Sequence, residues 1–538
     1  MKKVFACEDL SQALLAKAVQ MGAQVIVTNN LSVPKEEVPA SVVLIDGNIY
    51  REVGTWAAYR KAQAVIGGLQ AKAPALLDLD GQDLRSTATK ILYWSYAKQG
   101  YIKEALRQLG EPYRLLSDPG RIDWKRHLKN HLGWQCSYWQ RRNAPHLHAA
   151  KAVEITARHL FYVEDDFQYQ YLEDLLQTFE PASVAILMPH GHPNMPQERW
   201  AELSVQYQVV ELPPDKPLRL PWIPVSRLTR DELYAAQVLA AALPHLGAWT
   251  RFIHSLQGPC PEALVLTAAE NEGYGHLVAR LARARGLATV NTMNGMKFAT
   301  ANNADTEFDA WLVWDKHMRR MLIDQCGLPS AQIVDAGGHL TEDRLHQHVF
   351  SGELPLTKEE IEQRPILTFA SNRGLRQDKV DALTALYELM AAHPDWLMLY
   401  RPHPAEQPGD YFLPTDPALA ERVRLVTYTH TNNKSTLYDQ FHVSKLAIVL
   451  ASTVGLEAHW SGLPVITFEQ SERSLLYCVD GQHFFHENTI EGLQMRAQAL
   501  MQAPSDSARN NKHPRVSSRY ADIIREVIRQ RAPTKSSR

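Results

Sequence analysis

Short apolar, β-branched runs recur along the chain, each followed by a small or polar loop and then by a stretch with helical spacing. The clearest series is Pro365–Ala370, Trp396–Tyr400, Leu446–Leu450 and Pro464–Phe468. Such alternation predicts parallel strands joined by crossover helices, because parallel neighbours cannot be connected by a tight turn. A second series lies upstream: Phe161–Val163, Val184–Met188, Ala263–Leu266, Ala288–Val290 and Ala310–Trp314. A third opens the chain, with Val4–Ala6, a helical pattern over Ala13–Val19, then Val25–Thr28 and Val42–Asp46. The pattern predicts an α/β protein in five parts. These are an α/β lobe over 1–155 with an aromatic-rich helical segment, a Rossmann-like domain over 156–345, a polar linker over 346–364, a second Rossmann-like domain over 365–510, and a basic helix or tail over 511–538.

The loops after the strands carry the candidate chemistry, since ligands of open α/β sheets bind outside the carboxyl ends of the strands. Arg401, His403 and Pro404 follow one run at once, and Ser452, Thr453 and Gly455 follow the next while opening a helix. A helix start with small hydroxyl residues offers free N–H groups and the positive end of a dipole, which suits a phosphate. His403 can donate to a phosphate oxygen, and Pro404 stiffens the loop. Taken singly, the first motif reads as a turn and the second as a capped helix. Their joint appearance at the same end of predicted neighbouring strands points to binding. Arg373, in Ser371-Asn-Arg-Gly-Leu-Arg376, is either an anion clamp or a solvated loop cation.

Glu270 and Glu272 stand between an apolar strand and a helix, where a carboxylate either caps the helix or waits as a general base. Asp165 and Asp166 are the alternatives. His146 and His148, like His190 and His192, are two apart without further ligands, so no metal site is expected. Aromatic residues Trp94, Tyr96, Tyr101, Trp124, Trp134, Tyr138 and Trp139 interleave with Lys125, Arg126, Lys129, Arg141 and Arg142. That mixture fits a glycan-stacking surface or ordinary core aromatics beside solvated charges.

Composition narrows the field. The 538 residues are 45% hydrophobic and 22% charged, as in ordinary globular chains of two or three domains. A net charge of −2 argues against a general nucleic-acid binder. Cys7, Cys136, Cys260, Cys326 and Cys478 form no CxxC pair, so neither a disulfide framework nor a zinc ribbon is expected. The N-terminal residues meet Glu8 and Asp9 too soon for a signal peptide, and no run of 18 apolar residues occurs, which points to a cytoplasmic protein. Beyond Asn511, basic residues surround Ile523, Ile524, Val527 and Ile528. This helix suits either peripheral contact with the inner face of the membrane or packing back on the protein.

Arg401-Pro-His403-Pro404, Ser452-Thr453-x-Gly455-Leu-Glu457-Ala458 and Gly462-x-Pro464-Val465 together resemble the C-terminal half of bacterial capsule and lipopolysaccharide glycosyltransferases of the GT-B fold. Within that group the pattern is closest to capsule Kdo transferases and bacterial sialyltransferases. The resemblance covers about residues 365–470. It implies two Rossmann-like domains facing across a cleft, an N-terminal acceptor half, and a CMP-sugar donor held by the His-Pro and Ser-Thr motifs. It also implies an acceptor that is a surface glycan, in some cases lipid-linked, and no metal or other cofactor. Glu457 would accept hydrogen bonds from a ribose or sugar hydroxyl. The sialyltransferases carry glycine after their acidic pair, whereas Phe167 follows Glu164-Asp165-Asp166 here. UDP-sugar 2-epimerases and CDP-glycerol glycerophosphotransferases share the His-Pro and Gly-x-Pro-Val features, and a non-catalytic glycan-assembly protein is a further alternative.

Overall fold

The computed structural model describes residues 3–31, 37–39, 41–46, 55–79, 81–109, 113–115, 152–191, 195–215, 225–269, 274–293, 303, 307–371, 376–403, 406, 411–426, 433–450, 452–469, 483–503 and 515–531. Among these residues, three parallel sheets of four or more strands follow one another along the chain. The first contains β1 (Val4–Leu10), β2 (Val25–Leu31), β3 (Val43–Asp46) and β4 (Tyr113–Leu115), in the order β3-β2-β1-β4.

The middle sheet has seven strands: β5 (His159–Tyr162), β6 (Val184–Met188), β7 (Gln208–Glu211), β8 (Ala263–Thr267), β9 (Ala288–Thr292), β10 (Ala310–Val313) and β11 (Ile333–Asp335). Their order is β7-β6-β5-β8-β9-β10-β11. The last sheet has six: β12 (Ile366–Ala370), β13 (Leu397–Arg401), β14 (Val423–Leu425), β15 (Leu446–Val449), β16 (Val465–Phe468) and β17 (Phe484–Glu487). Their order is β14-β13-β12-β15-β16-β17. In both larger sheets the first strand is central and the order reverses beside it, which makes each a doubly wound Rossmann-like unit. The chain is an α/β protein of GT-B-like architecture with an N-terminal α/β extension.

Strands buried on both faces alternate between two apolar layers. Leu446, Ile448, Ile466 and Phe468 pack on the layer of helices Arg376–Ala392 and Ile490–Gln502. Ala447, Val449 and Val465 enter another core, which also takes Trp311, Val313, Trp314, Met318 and Leu322 from the middle unit. The two Rossmann-like units therefore share buried apolar surface. The N-terminal lobe is likewise not isolated: Val4, Val25, Leu69 and Leu92 join one core with Leu160, Leu264, Trp249 and Phe252. Trp249 and Phe252 lie on the long helix Arg230–Ser255, which begins with a capping box of Thr229 and Glu232.

The predicted linker is more ordered than its polar sequence suggests. It contains the helix Lys358–Gln363, and Asp439, fully buried, holds it through His348 Nε2 at 2.6 Å and the Ser351 N–H at 2.9 Å. The C-terminal helix Val516–Arg531 returns to the middle sheet, where Val516, Tyr520, Ala521 and Ile524 are buried. These buried residues follow the second of the two expectations for this helix, packing back on the protein. Among the described residues no helix is long and apolar enough to cross a membrane.

Candidate active site

The switch point of the C-terminal sheet lies between β12 and β15, with β13 on the other side of β12. Ser371 leaves β12, His403 follows β13, and Ser452 follows β15, so the expected donor loops come from three adjacent strands at one end of the sheet. Ser452 is the N-cap of the helix Thr453–Trp460; its side chain accepts from the Val454 N–H at 3.3 Å. Thr453 is the first residue of that helix. Pro404 and Arg373 lie outside the described residues, as do Glu270 and Glu272.

Two of the expected donor-site residues also have structural partners. Arg401 is 4% exposed, and its Nη1 donates to Gln440 Oε1 at 2.8 Å and to Thr436 Oγ1 at 3.3 Å. It braces the helix Asn433–Val443 against the strand end. A Cβ at Gly455 would stand 2.8 Å from Val449 Cγ2, so the glycine lets its helix lie close on the sheet. Neither residue needs a ligand to account for its place.

Glu457 is more suggestive. It is 3% exposed, and Oε1 accepts from Lys434 Nζ at 2.6 Å and from Thr341 Oγ1 at 3.4 Å across the junction between the two units. Its Oε2 is buried without a hydrogen-bond partner. A buried carboxylate oxygen left unpaired costs free energy, and a ligand hydroxyl placed there would recover it.

At the switch point of the middle sheet, between β5 and β8, the two candidate acidic loops emerge from neighbouring strands. After β8 the backbone turns through Ala268 at φ +54°, a left-handed conformation that L residues other than glycine, Asn and Asp seldom adopt. A Cβ at Gly275 would meet the Ala269 carbonyl at 2.2 Å, so the chain re-enters its helix tightly packed against its exit. Strain of this kind is kept where neighbouring structure imposes it, and it flanks Glu270 and Glu272.

The acidic run after β5 divides its labour differently from expectation. Asp165 caps the helix Asp166–Leu176, accepting from the Gln168 N–H at 2.8 Å. Asp166 accepts from Gln170 Nε2 at 2.7 Å and pairs with Arg199 at 3.3 Å. Both are occupied structurally. Among the described residues no cation pairs with Glu164; burial, and then the neighbouring Asp165, raise its pKa above the ordinary carboxylate value. Sequence reading passed over Glu164 because nothing local distinguishes three consecutive acids; the capping geometry does. Among the described residues no group of acidic, histidine or cysteine side chains is arranged to hold a metal.

The segment Gly337–Arg344 forms the joint between the units. Burial keeps His339 neutral; its ring stacks on Trp460 at 5.5 Å and meets Trp314 edge-on at 4.5 Å. Asp343 accepts from the Val516 and Ser517 N–H groups at 2.9 and 2.8 Å, fastening the C-terminal helix. Glu342 accepts the His339 N–H at 2.7 Å, and burial pushes its pKa up to about 7 from 4.5. The folded state therefore holds this proton more tightly than the unfolded chain. Stability is unaffected below pH 4.5 and declines as pH rises toward and through 7. Glu342→Gln is expected to gain on the order of 2 kcal/mol over the wild type at pH 8 and little at pH 4, read by urea unfolding at both pH values.

No protein-family profile matches the chain, and no curated protein matches it in sequence. Solved structures similar to it include UDP-GlcNAc 2-epimerase from Neisseria meningitidis bound to UDP-GlcNAc, at 12% identity over 69% of this chain and 100% of that one, TM-score 0.47. UDP-N-acetylglucosamine 2-epimerase from Rickettsia bellii has 13% identity over 71% and 99%, TM-score 0.44. A glycosyltransferase from Rickettsia africae has 10% identity over 71% and 94%, TM-score 0.41.

Proposed function

We propose that this chain is a nucleotide-sugar-dependent glycosyltransferase whose donor binds at the switch point of the C-terminal sheet. The observation that carries this reading is the gathering of His403, Ser452 and Thr453 at that crevice, with Glu457 one turn further along the same helix. The helix start, with Ser452, Thr453 and His403, would hold the leaving phosphate, helped by Arg373. Such preorganised donors stabilise the charge that develops as the sugar–phosphate bond breaks. The unpaired Oε2 of Glu457 would accept a ribose or sugar hydroxyl.

For a single displacement, one carboxylate takes the proton of the acceptor hydroxyl, whose oxygen forms the new bond to the anomeric carbon as the nucleotide departs with its phosphate. Glu164, Glu270 and Glu272 are the candidate bases, since they belong to the two loops beside the switch point of the middle sheet. A carboxylate with a raised pKa suits proton abstraction near neutrality. The finer reading is transfer of an acid sugar such as Kdo or sialic acid from a CMP donor to a bacterial surface polysaccharide. It rests on the motif resemblance.

Thermal unfolding with millimolar CMP, CDP, UDP or GDP, in wild type and His403→Ala, tests both levels. A nucleotide at 100 times its Kd should stabilise the native state by about 2.7 kcal/mol. Stabilisation by CMP that is much reduced in His403→Ala is the expected result. Stabilisation by UDP alone would replace the CMP-sugar reading with a UDP-sugar transferase or 2-epimerase. No shift with any of the four would remove the nucleotide-sugar reading.

A further inference from the structure

Behind the His403 loop lies an ion pair that the donor-site reading does not use. Lys379 Nζ is 2.6 Å from Glu406 Oε1, and the two side chains are only 6% and 5% exposed. The same oxygen accepts from Ser371 Oγ at 2.9 Å. The other, Oε2, accepts from the His403 N–H at 2.8 Å, while the Glu406 N–H donates back to the His403 carbonyl at 2.8 Å. One carboxylate thus ties together the exit of β12, the loop after β13, and the first turn of the helix Arg376–Ala392. These are the elements that border the crevice.

Burying an ion pair seldom adds net stability over apolar residues of similar volume, because desolvation cancels much of the attraction. What such a pair supplies is geometry. A backbone N–H bound to a carboxylate that is itself held by Lys379 and Ser371 has little freedom, and a site residue misplaced by an ångström loses much of its effect. We propose that Glu406, held by Lys379, is a positioning residue that sets His403 toward the donor phosphate. The proposal rests on the nucleotide-sugar reading above.

The test uses the full chain and whichever of CMP, CDP, UDP and GDP stabilises the wild type most. Lys379→Met/Glu406→Leu fills the site with apolar side chains and removes the acceptor of the His403 N–H. Lys379→Met/Glu406→Gln is equally uncharged but keeps an acceptor oxygen. The first is expected to weaken nucleotide binding about tenfold and the second to restore most of that loss. In a His403→Ala background the same Leu variant should cost less than about twofold, since the residue being positioned is gone.

Equal losses with and without His403, or equal losses for the Leu and Gln variants, would overturn the proposal. If no nucleotide binds the wild type, the functional reading fails by itself. Hydrogen exchange of the segment 397–410 then decides the anchoring. Faster exchange there in the Leu variant, with other segments unchanged, supports the tie, and unchanged exchange refutes it.

Discussion

Lys379→Met should lower the unfolding free energy by about 3–5 kcal/mol, a large share of what a domain has. The reason is asymmetry. With Lys379 in place, the Glu406 carboxylate has a cation at 2.6 Å in a site where the carboxylate side chain is 5% exposed. Without it the charge must stay buried unpaired, take up a proton, or pull the His403 loop into water. Removing both charges avoids all three. Lys379→Met/Glu406→Leu should therefore lie within about 1 kcal/mol of wild type although it carries twice the number of changes. Chemical denaturation of the single and double variants checks this; a single variant no weaker than the double would mean that the pair is not electrostatically isolated.

Trp314→Ala should cost about 3–5 kcal/mol, the usual range for removing a large aromatic side chain from a core that cannot collapse around the void. Trp314 is 1% exposed and packs edge-on against His339 at 4.5 Å and Trp460 at 5.9 Å. His339 belongs to the joint and Trp460 to the helix that starts at Ser452. The void would therefore open where the middle and C-terminal units meet. The expected calorimetric signature is two separated transitions in place of one, with the C-terminal unit melting independently. Trp314→Phe retains an edge-on ring and should cost under half as much. A single broadened transition for Trp314→Ala would show that the remaining shared core still couples the units.

The two results bear on function through the same geometry. In the proposed reading, a donor crevice on one unit and acidic loops on another act together only if the joint keeps them in register. In this chain the joint includes, beside the shared apolar core, the stack of His339 on Trp460 and a Thr341–Glu457 hydrogen bond, while Asp343 anchors the C-terminal helix on the middle unit.

Local pattern determined the central strands. Val184–Met188, Ala263–Leu266, Leu397–Tyr400 and Val465–Phe468 are almost wholly apolar because both faces of a parallel sheet are covered, and that requirement writes itself into consecutive residues. It did not mark Gln208–Glu211, Val423–Leu425 or Phe484–Glu487, since these edge strands are short and partly exposed and tolerate polar residues.

The succession of strand end, hydroxyl and helix start at Ser452 and Thr453 was legible too, because N-cap chemistry is local. Tertiary structure alone decided which side chains are spoken for. Arg401 and Asp166 look available in sequence and are occupied by Gln440 and Arg199. Lys379 and Glu406 gain their significance from each other, on different elements, and Glu164 from its burial. It also decided that the amphipathic helix Val516–Arg531 covers the middle sheet. Periodicity specifies that a helix has an apolar face, while the surface that buries it is set by the whole chain, through contacts between residues more than 170 positions apart such as Asp343 and Ser517.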